Sequence, residues 1–274
     1  MNAAVKLEIS VLIPTFNGAP WLTETLSRVP AAAGGAPFEI IVVDNASTDE
    51  TAEAAQKSTG VRVLRNEKNL GFSRAVNQAA AASRGKVLVV INQDLHLQPN
   101  ALKILSEFLA SKNAIAGGAL SFQDGVPQPS CGPFPTLIGT LCRLALPRRI
   151  RKYDLGPASD RTRPVDWLTG AFLGFPRALF DKIGGFDEDF FMYYEDVDFC
   201  LRARRAGFPS YFLPSAKAVH VAPYSARDDA PDWLRQEVRR SQVTYFNKHR
   251  PAWEANAMRA INRAYFAAHG WPWR

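Results

Sequence analysis

The first 120 residues alternate between short apolar runs and stretches with helical periodicity, and this alternation constrains the fold more than any other feature. We expect strands at Ile9–Ile13, Phe38–Val43, Val61–Leu64, Lys86–Ile91 and Ala114–Leu120. Helices are expected at Trp21–Arg28, Thr48–Ser58, Phe72–Ala82 and Asn100–Ala110, and Ser47–Glu50 supplies caps for the second of them. Strands that alternate with helices form right-handed βαβ units. The sequence therefore predicts an α/β fold with a mostly parallel central sheet flanked by helices.

Polar side chains follow three of the predicted strands. Thr15–Asn17 follow the first strand, Asp44–Ser47 the second and Asn92–Asp94 the fourth. In open α/β sheets, ligands bind at the carboxyl ends of the strands. We therefore expect a binding site where these three segments meet.

The phosphate-binding loops of common nucleotide sites are missing from the sequence. No GxGxxG follows the first strand and no GxxxxGK[ST] occurs. A bound nucleotide diphosphate would then need a cation, and Asp94 is placed to hold Mg²⁺ or Mn²⁺ through one carboxylate. Asp44 could accept hydrogen bonds from the N–H of a pyrimidine. The alternative for both residues is an aspartate that caps the following turn.

The run from Gly184 to Arg202 contains six carboxylates and six aromatic residues in a chain of net charge +7. Crowded, partly buried acids have raised pKa values, and such groups serve as a general base or bind a metal or a polyol. The other interpretation is a helix that begins near Tyr194, with acids in its first turn and an Asp198–Arg202 pair. This run alone does not separate the two.

Length and composition set broad limits. A length of 274 residues fits one large domain or two small ones. The pI near 9.4 indicates an anionic partner. No nucleic-acid module accompanies the basic residues, so a membrane surface or a phosphate is favoured over nucleic acid, with a solvated basic face as the alternative. Leu137–Leu146, with Arg143 and the basic residues that follow up to Lys152, is expected to form a short basic amphipathic helix, and the basic segment 143–152 is expected to contact a membrane surface. The Pro-, Gly- and Arg-rich residues 122–165 suggest a mobile loop over the site.

We expect a cytoplasmic protein, either free or peripheral at the inner face of the cell membrane. The sequence has no apolar run of membrane-spanning length and no charged-then-apolar leader. Its three cysteines lack metal-ligand spacing, which is typical of a reduced compartment. Residues 230–268 are expected to form two helices separated by Pro251 that pack on the core or mediate a homodimer.

Four motifs in order carry a resemblance to a known family. They are the segments 10–18, 42–50, 69–77 and 184–202, and together they resemble family 2 glycosyltransferases, in particular the rhamnosyltransferase-like branch. The resemblance covers roughly residues 8–222. It implies a GT-A (nucleotide-diphospho-sugar transferase) fold and transfer of a sugar from a nucleotide diphosphate with inversion. It divides the chain into a GT-A domain at 1–222 and a C-terminal helical extension at 223–274, with a nucleotide-sugar half at about 1–121 and an acceptor and catalytic half at about 122–222.

The resemblance also assigns roles to individual positions. Asp44 matches the acid that contacts the base, and the other implied donor-binding residues are Thr15, Asn17, Asn45, Asn69, Gly71, Asn77, Asn92 and Gln93. Asp94 matches the metal-binding acid of a DxD-like motif, in which Gln93 replaces a residue that could supply a second contact. His220 matches a histidine that completes the metal site in several members. A histidine in isolation is more often a surface or packed residue.

Glu195 and Asp196 match the catalytic acid pair of the family, and we assign the base role to Asp196. Trp167, Asp166 and Gly170 fall in the acceptor-proximal segment, where Trp167 would stack on a sugar face unless it is a core residue. The implied function is transfer of rhamnose from dTDP-rhamnose to a glycan or lipid-linked glycan in cell-surface polysaccharide synthesis. The alternative is a non-catalytic nucleotide-sugar or glycan-binding protein on the same fold.

Overall fold

The computed structural model describes residues 8–145, 160–223 and 231–273. The strands within these ranges are β1 (Ile9–Thr15), β2 (Phe38–Asp44), β3 (Val61–Arg65), β4 (Val87–Ile91), β5 (Leu95–Leu97), β6 (Ile115–Ser121), β7 (Pro127–Gln128), β8 (Cys131–Gly132), β9 (Arg163–Val165), β10 (Trp167–Leu168), β11 (Phe172–Pro176) and β12 (Ser210–His220). The helices are α1 (Ala19–Ala33), α2 (Thr51–Lys57), α3 (Phe72–Ala82), α4 (Ala101–Ser111), α5 (Leu137–Ala145), α6 (Arg177–Ile183), α7 (Glu195–Arg205), α8 (Asp232–His249) and α9 (Ala252–Ala268).

A ten-stranded mixed sheet forms the centre of the molecule, in the order β3-β2-β1-β4-β11-β6-β12-β5, with β7 on β6 and β9 on β12. β3, β2, β1 and β4 are parallel neighbours, and β12 is parallel to β6. The five predicted strands and the mostly parallel sheet are confirmed. However, β11 pairs antiparallel with both β4 and β6 and so separates two strands that the βαβ pattern places side by side.

The sheet is buried on both faces, because its central strands carry apolar residues at successive positions. Val11 faces the cluster covered by α1 and α4, whereas its neighbour Leu12 faces the cluster covered by α3 and α7. All seven residues of β1 are buried. This double burial explains why the predicted strands appear as continuous apolar runs rather than as alternating patterns.

Two helices differ from their predicted ranges by three residues or more at one end, whereas α3 matches its range and α4 is shifted by one residue. α1 continues past Arg28 and through Pro30, and it ends at Gly34, which adopts the left-handed conformation (φ 56°) that favours glycine. α2 begins at Thr51 rather than Thr48. The residues before it form a turn in which Asp49 accepts a hydrogen bond from the Thr51 N–H (3.1 Å), so their side chains stabilise the turn instead of extending the helix.

The C-terminal residues form two helices, α8 and α9, separated at Pro251 as predicted. Their apolar residues Tyr245, Phe246 and Met258 share a buried cluster with Val197 of α7 and Leu137 of α5. The two helices therefore pack on the core, against the helix that carries the acidic motif. The homodimer stays a prediction.

The described parts of segment 122–165, residues 122–145 and 160–165, contain regular elements rather than a single irregular loop. β7 pairs with β6, β8 pairs with β10, and α5 begins at Leu137, which confirms a short helix in this region. Most of the basic part of segment 143–152, including Arg148 to Lys152, lies outside the described residues. Among the helices that are described, none combines the length and apolar composition needed to cross a lipid bilayer.

Candidate active site

A cavity of about 220 Å³ opens where the carboxyl ends of β1 and β4 meet the start of α7. Its wall consists of Pro14, Thr15, Phe16, Trp21, Asn45, Asn69, Gly71, Phe72, Asn92, Gln93, Asp94, Gln128, Thr169, Gly170, Ala171, Phe191, Met192, Tyr193, Glu195, Asp196, His220, Ala222, Pro223 and Trp233. Most residues that the motifs singled out thus surround one space, at the strand ends where a ligand was expected.

The acid pair is presented by an unusual backbone turn. Tyr193 and Tyr194 are both left-handed (φ 68° and 64°), and α7 starts immediately after them with Glu195 and Asp196. Two consecutive non-glycine residues in this conformation cost roughly 1–3 kcal/mol each, so surrounding contacts must hold them. The predicted helix start and the Asp198–Arg202 ion pair (2.7 Å) are both confirmed, so this run is a helix N-terminus as well as part of the cavity wall.

α8 supplies contacts that hold this turn. The Ser241 hydroxyl donates to the carbonyl oxygen of Met192 (2.8 Å), and the Gln242 amide donates to the Tyr194 hydroxyl (2.9 Å). Asn262 of α9 donates in turn to Gln242 (3.4 Å). The C-terminal helices therefore fix the segment from which the acid pair projects.

Burial raises the pKa of both members of the pair. Glu195 is buried, and desolvation followed by the neighbouring charge of Asp196 raises its pKa well above the usual value. Asp196 is half-buried, and its raised pKa results from desolvation, which outweighs hydrogen bonds to Oδ2 from the Gly170 N–H (3.0 Å) and to Oδ1 from the Val197 N–H (2.8 Å). The two carboxyls therefore titrate as one coupled pair, and burial raises the pKa of both members.

Asp94 and His220 are brought together by the pairing of β5 with β12. His220 lies opposite Leu95 in this antiparallel ladder, and the Val221 N–H donates to the Asp94 carbonyl oxygen (2.9 Å). Both side chains are buried, and His220 Nε2 lies 3.2 Å from Asp94 Oδ1. Residues 126 positions apart therefore form a compact carboxylate–imidazole pair in the cavity wall.

Two amide side chains orient the His220 ring. Gln128 Oε1 lies 3.0 Å from Nδ1, and Asn92 Nδ2 lies 3.2 Å from Nε2. A ring that donates from Nδ1 to Gln128 can use an Nε2 lone pair to accept from the Asn92 amide or to bind a cation beside Asp94, whereas an Nε2–H would donate to Asp94. A histidine with its second ring nitrogen bonded to a carbonyl oxygen is the usual arrangement of a metal ligand. Across the part of the chain that the structure describes, no cluster of three or more His, Cys, Asp or Glu is arranged to hold a metal.

Gln93 has a different role from its neighbour Asp94. Its side-chain oxygen accepts from the Phe16 N–H (3.0 Å), and its nitrogen donates to the Phe16 carbonyl oxygen (3.2 Å). The side chain is thus used to fix the chain after β1. It lines the cavity as a support for the β1 end and leaves Asp94 as the carboxylate of the motif.

On the opposite wall, Thr15, Asn45, Asn69 and Gly71 line the cavity. Thr15 Oγ1 is buried and has no hydrogen-bond partner, which is the condition expected of an atom that awaits a polar ligand. Gly71 has φ 87°, and a Cβ there would lie 2.5 Å from the carbonyl oxygen of Phe191. Glycine is therefore required at this position.

Three predicted donor-binding residues lie just outside the cavity wall. Asp44 is fully buried and accepts from the Ser47 N–H (3.2 Å), which is the turn-capping arrangement named as the alternative. Asn17 accepts from the Thr48 N–H (2.9 Å), and Asn77 bonds both backbone groups of Phe186 (2.9 Å each). Asp44 Oδ2 has no hydrogen-bond partner, although Arg65 Nε lies 3.4 Å away, so its contact with a base stays a prediction.

The structure does not bring Trp167 and Asp166 to the cavity. The Trp167 indole N–H donates to the Pro133 carbonyl oxygen (2.9 Å), and Asp166 accepts from the Phe134 N–H (3.0 Å) and from Arg204 (2.6 Å). Both side chains hold β10 to neighbouring segments, whereas Gly170, a few residues later, does line the cavity. Their role as acceptor contacts was implied by the resemblance, which does not say towards which side of a strand a residue points, and it stays a prediction.

Other residues of the site were not found from the sequence. Gln128 orients His220, yet it stands in a segment that was expected to be a loop, and Trp233 lies far from every motif. His249, which had no support from the sequence, lies 2.6 Å from the buried Asp198 and so links α8 to α7. Its position as the last residue of α8 carries no signal of this long-range contact.

Comparison with known proteins agrees with this geometry. The model of the family described as "Glycosyl transferase family 2" matches residues 10–184. An N-acetylglucosaminyl-diphospho-decaprenol L-rhamnosyltransferase of Mycobacterium tuberculosis is 30% identical over 270 residues, which covers 90% of this chain and 87% of the relative. The rhamnosyltransferase WbbL of Escherichia coli is 26% identical over 201 residues, covering 69% and 75% of the two chains.

Among solved structures, the mannosyltransferase PcManGT of Pyrobaculum calidifontis in complex with GDP-Man and Mn²⁺ has a TM-score of 0.60, at 20% identity over 88% of this chain and 63% of that one. This likeness concerns the fold alone, and the fold is GT-A. In this chain it is followed by the C-terminal helices that were predicted. The chain belongs to glycosyltransferase family 2, and its resemblance to the rhamnosyltransferase-like branch is confirmed.

Proposed function

We propose that this chain is a metal-dependent, inverting glycosyltransferase that moves a sugar from a nucleotide diphosphate to a glycan or lipid-linked glycan acceptor. The observation that supports this most is the presence of Asp94, His220 and Asp196 in the wall of one cavity, although they are far apart in sequence. A cation-binding pair and a carboxylate of raised pKa are the two groups that such a transfer requires.

Rhamnose from dTDP-rhamnose is the donor we propose. The support is the similarity to relatives that are named rhamnosyltransferases. The name of the M. tuberculosis relative includes a diphospho-decaprenol-linked N-acetylglucosamine, which supports an acceptor of this lipid-linked class and a role in cell-surface polysaccharide synthesis. Residues of about 1–121 would hold the nucleotide sugar, and those of about 122–222 would hold the acceptor and the catalytic acids.

Asp94 and His220 are the residues that would hold Mg²⁺ or Mn²⁺. Their separation of 3.2 Å and the Gln128 side-chain oxygen behind Nδ1 fit one carboxylate and one imidazole ligand. A cation bound by only two protein ligands keeps positions for waters and phosphate oxygens. When bound, it supplies neutralisation of the charge that develops on the departing nucleotide diphosphate.

Asp196 is the proposed base. The acceptor hydroxyl would transfer its proton to an Asp196 carboxylate oxygen while its oxygen bonds to the anomeric carbon, from which the bond to the diphosphate oxygen breaks. The Gly170 N–H fixes the carboxylate in orientation, and burial raises its pKa towards a value useful for proton transfer. Glu195, beside it, favours a single negative charge on the pair.

We further propose peripheral contact with the inner face of the membrane. α5 presents Ile138 (68% exposed) and Leu141 (44% exposed) on its surface, immediately before the basic residues of segment 143–152. Exposed aliphatic residues beside basic ones are typical of interfacial helices. Assembly as a homodimer remains a separate proposal, to be measured by sedimentation.

A donor screen tests the proposed function. Purified protein would be titrated with dTDP-rhamnose, UDP-galactose, UDP-galactofuranose, UDP-glucose, UDP-N-acetylglucosamine and GDP-mannose, each with Mg²⁺, Mn²⁺ or chelator, and hydrolysis would be followed. We expect one donor, dTDP-rhamnose, to bind and hydrolyse slowly only with metal.

Variants of the proposed metal ligands test whether donor binding depends on the metal site. Asp94→Asn and His220→Asn should remove the metal-dependent part of donor binding, whereas Asp124→Asn, in an exposed turn, should not. Donor binding without turnover, even with lipid-linked acceptors, would support the non-catalytic alternative. Absence of binding to any donor would contradict the proposal.

A further inference from the structure

Two large apolar side chains in the cavity wall stay open to solvent, Phe16 at the end of β1 (36% exposed) and Trp233 on α8. Trp233, the second residue of α8, is 47% exposed and lines the cavity. Its neighbour Leu234 is 3% exposed, so the start of the helix is anchored while the indole is not. An exposed tryptophan in the wall of a cavity is a typical ligand contact, because its burial on binding contributes apolar area as well as a flat surface.

The face of α8 that carries Trp233 runs along the acid pair. Trp233, Glu237 and Ser241 are spaced four residues apart and so lie on one side of the helix. Ser241 donates to the Met192 carbonyl oxygen (2.8 Å), and the charge of Glu237 is one of the influences that raise the pKa of Glu195. This side of the helix therefore faces the catalytic segment rather than bulk solvent.

Trp233 also differs in position from the residues expected to hold the nucleotide. It joins Ala222 and Pro223, which follow His220, in the wall of the cavity. Thr15, by contrast, lies at the end of β1, where a nucleotide is expected. An acceptor must reach Asp196, and Trp233 stands on the helix that holds the turn before Asp196.

The chemistry of the side chain suggests which part of the acceptor it contacts. A pyranose ring has one face of C–H groups, and an indole offers a rigid apolar surface of similar size with few rotatable bonds. We propose that Trp233 is the stacking platform for the acceptor sugar, which makes α8 part of the acceptor site. This inference rests on the proposed function and names the element that recognises its second substrate.

The position of Trp233 along the chain bears on the specificity for the acceptor. The match to the family model ends at residue 184, whereas Trp233 lies beyond it on the C-terminal helices. The donor-binding residues and Asp94 fall inside the matched range, whereas the acid pair and His220 lie beyond it together with Trp233. The acceptor preference of this chain is then set in part by a helix outside that range.

The test compares two exposed tryptophans. Trp253, 60% exposed at the second position of α9, is outside the cavity wall and provides a matched control. Full-length wild type, Trp233→Ala, Trp233→Phe and Trp253→Ala would be titrated with N-acetylglucosamine diphosphate on a short isoprenoid and with a panel of methyl glycosides. Donor affinity and metal-dependent donor hydrolysis would be measured in parallel.

We expect Trp233→Ala to weaken acceptor affinity by about 10- to 100-fold, as for truncation of an aromatic anchor, and to change donor affinity and donor hydrolysis far less than that. Trp233→Phe should restore part of the loss, and Trp253→Ala should match wild type. Unchanged acceptor affinity in Trp233→Ala, a loss confined to the donor, or no sugar bound by wild type would overturn the inference. The two failures are distinguishable. If the proposed function is wrong, the wild type will not hydrolyse donor; if only the role of Trp233 is wrong, the wild type will still hydrolyse donor.

Discussion

The backbone N–H of Gly170 donates a hydrogen bond of 3.0 Å to Oδ2 of Asp196. This contact joins the loop after β10 to the first turn of α7, so the carboxylate is held between two segments of the chain. A fixed orientation matters for a base, because proton transfer requires the carboxylate oxygen within hydrogen-bond reach of the substrate hydroxyl. The Gly170 N–H also stabilises the charged form of the Asp196 carboxylate, which burial disfavours.

Asp196→Asn should abolish most turnover and leave donor binding nearly intact. The amide keeps the shape and can still accept from Gly170, but it cannot accept a proton, so kcat should fall by about 10²- to 10⁴-fold. Steady-state kinetics and donor titration give the two quantities. Asp181→Asn, on the exposed side of α6, is the control. A matching loss of donor affinity in Asp196→Asn would argue against the base role.

The raised pKa of Glu195 predicts a specific pH dependence of stability. The unfolded chain releases this proton near the ordinary value of 4.5, while the folded protein retains it to higher pH. The folded state then binds more protons above pH 4.5, so the free energy of unfolding should fall as the pH rises through the window up to the raised pKa. Glu195→Gln should reduce this slope, since it removes the titrating group.

Denaturant unfolding at a series of pH values measures that slope. The control is Glu67→Gln, whose side chain is exposed, and it should keep the wild-type slope. kcat should show the opposite trend in wild type, rising with pH as the acid pair ionises, because the base acts as a carboxylate. Equal slopes in Glu195→Gln and wild type would contradict the assignment of the buried proton to Glu195.

The sequence was sufficient to predict the parallel half of the sheet and the residues at its edge. Continuous apolar runs such as Ile9–Ile13 indicate strands buried on both faces, and the polar residues after them have few roles other than turns and ligands. The motif order also led to Asp94, His220 and Asp196, which share a cavity wall. Local patterns and strand polarity carry this information.

The remaining features depend on contacts that local sequence does not encode. β11 lies between β4 and β6 in the sheet but comes much later in the chain. The sequence near β4 and β6 therefore does not predict its insertion. Trp167 and Trp233 are equally plausible sugar contacts as residues, yet only Trp233 reaches the cavity, because packing of α8 decides its direction. Likewise, the Gln93 side chain bonds to Phe16 rather than pointing at a metal.

Gly18→Ala should weaken donor binding by displacing Gln93. A Cβ at position 18 would lie 2.3 Å from Gln93 Oε1, and the flexible end of that side chain can move away at little cost to the fold. The displacement would release the backbone of Phe16 in the cavity wall. We expect donor affinity to fall by about 3- to 10-fold, which corresponds to the net free energy that one or two hydrogen bonds usually contribute.

A double-mutant cycle tests this route. Gln93→Ala removes the same contacts to Phe16, so Gly18→Ala combined with Gln93→Ala should bind donor no more weakly than Gln93→Ala alone. Donor titration by calorimetry gives the four affinities. Fully additive losses would mean that the two residues act independently, contrary to the contact seen between them.

Ser241→Ala should lower both stability and turnover, because Ser241 supports the turn that carries two left-handed tyrosines. Its hydroxyl donates to the Met192 carbonyl oxygen (2.8 Å), and the variant leaves that acceptor without its partner. Loss of the bond should reduce the free energy of unfolding by about 1–3 kcal/mol. A looser turn would also misplace Glu195 and Asp196, so kcat should fall more than acceptor affinity.

Ser27→Ala provides the matched control, because Ser27 is exposed on α1 and its hydroxyl bonds only to the Glu24 carbonyl oxygen of its own helix (2.8 Å). Denaturant unfolding and steady-state kinetics of both variants separate support of the turn from a general effect of losing a hydroxyl. If Ser241→Ala lost stability but kept the wild-type kcat, the strain at Tyr193 and Tyr194 would have to be held by the Gln242–Tyr194 bond instead. In that event Gln242→Ala should show the loss of turnover that Ser241→Ala lacks, since the orientation of the acid pair requires at least one of the two bonds.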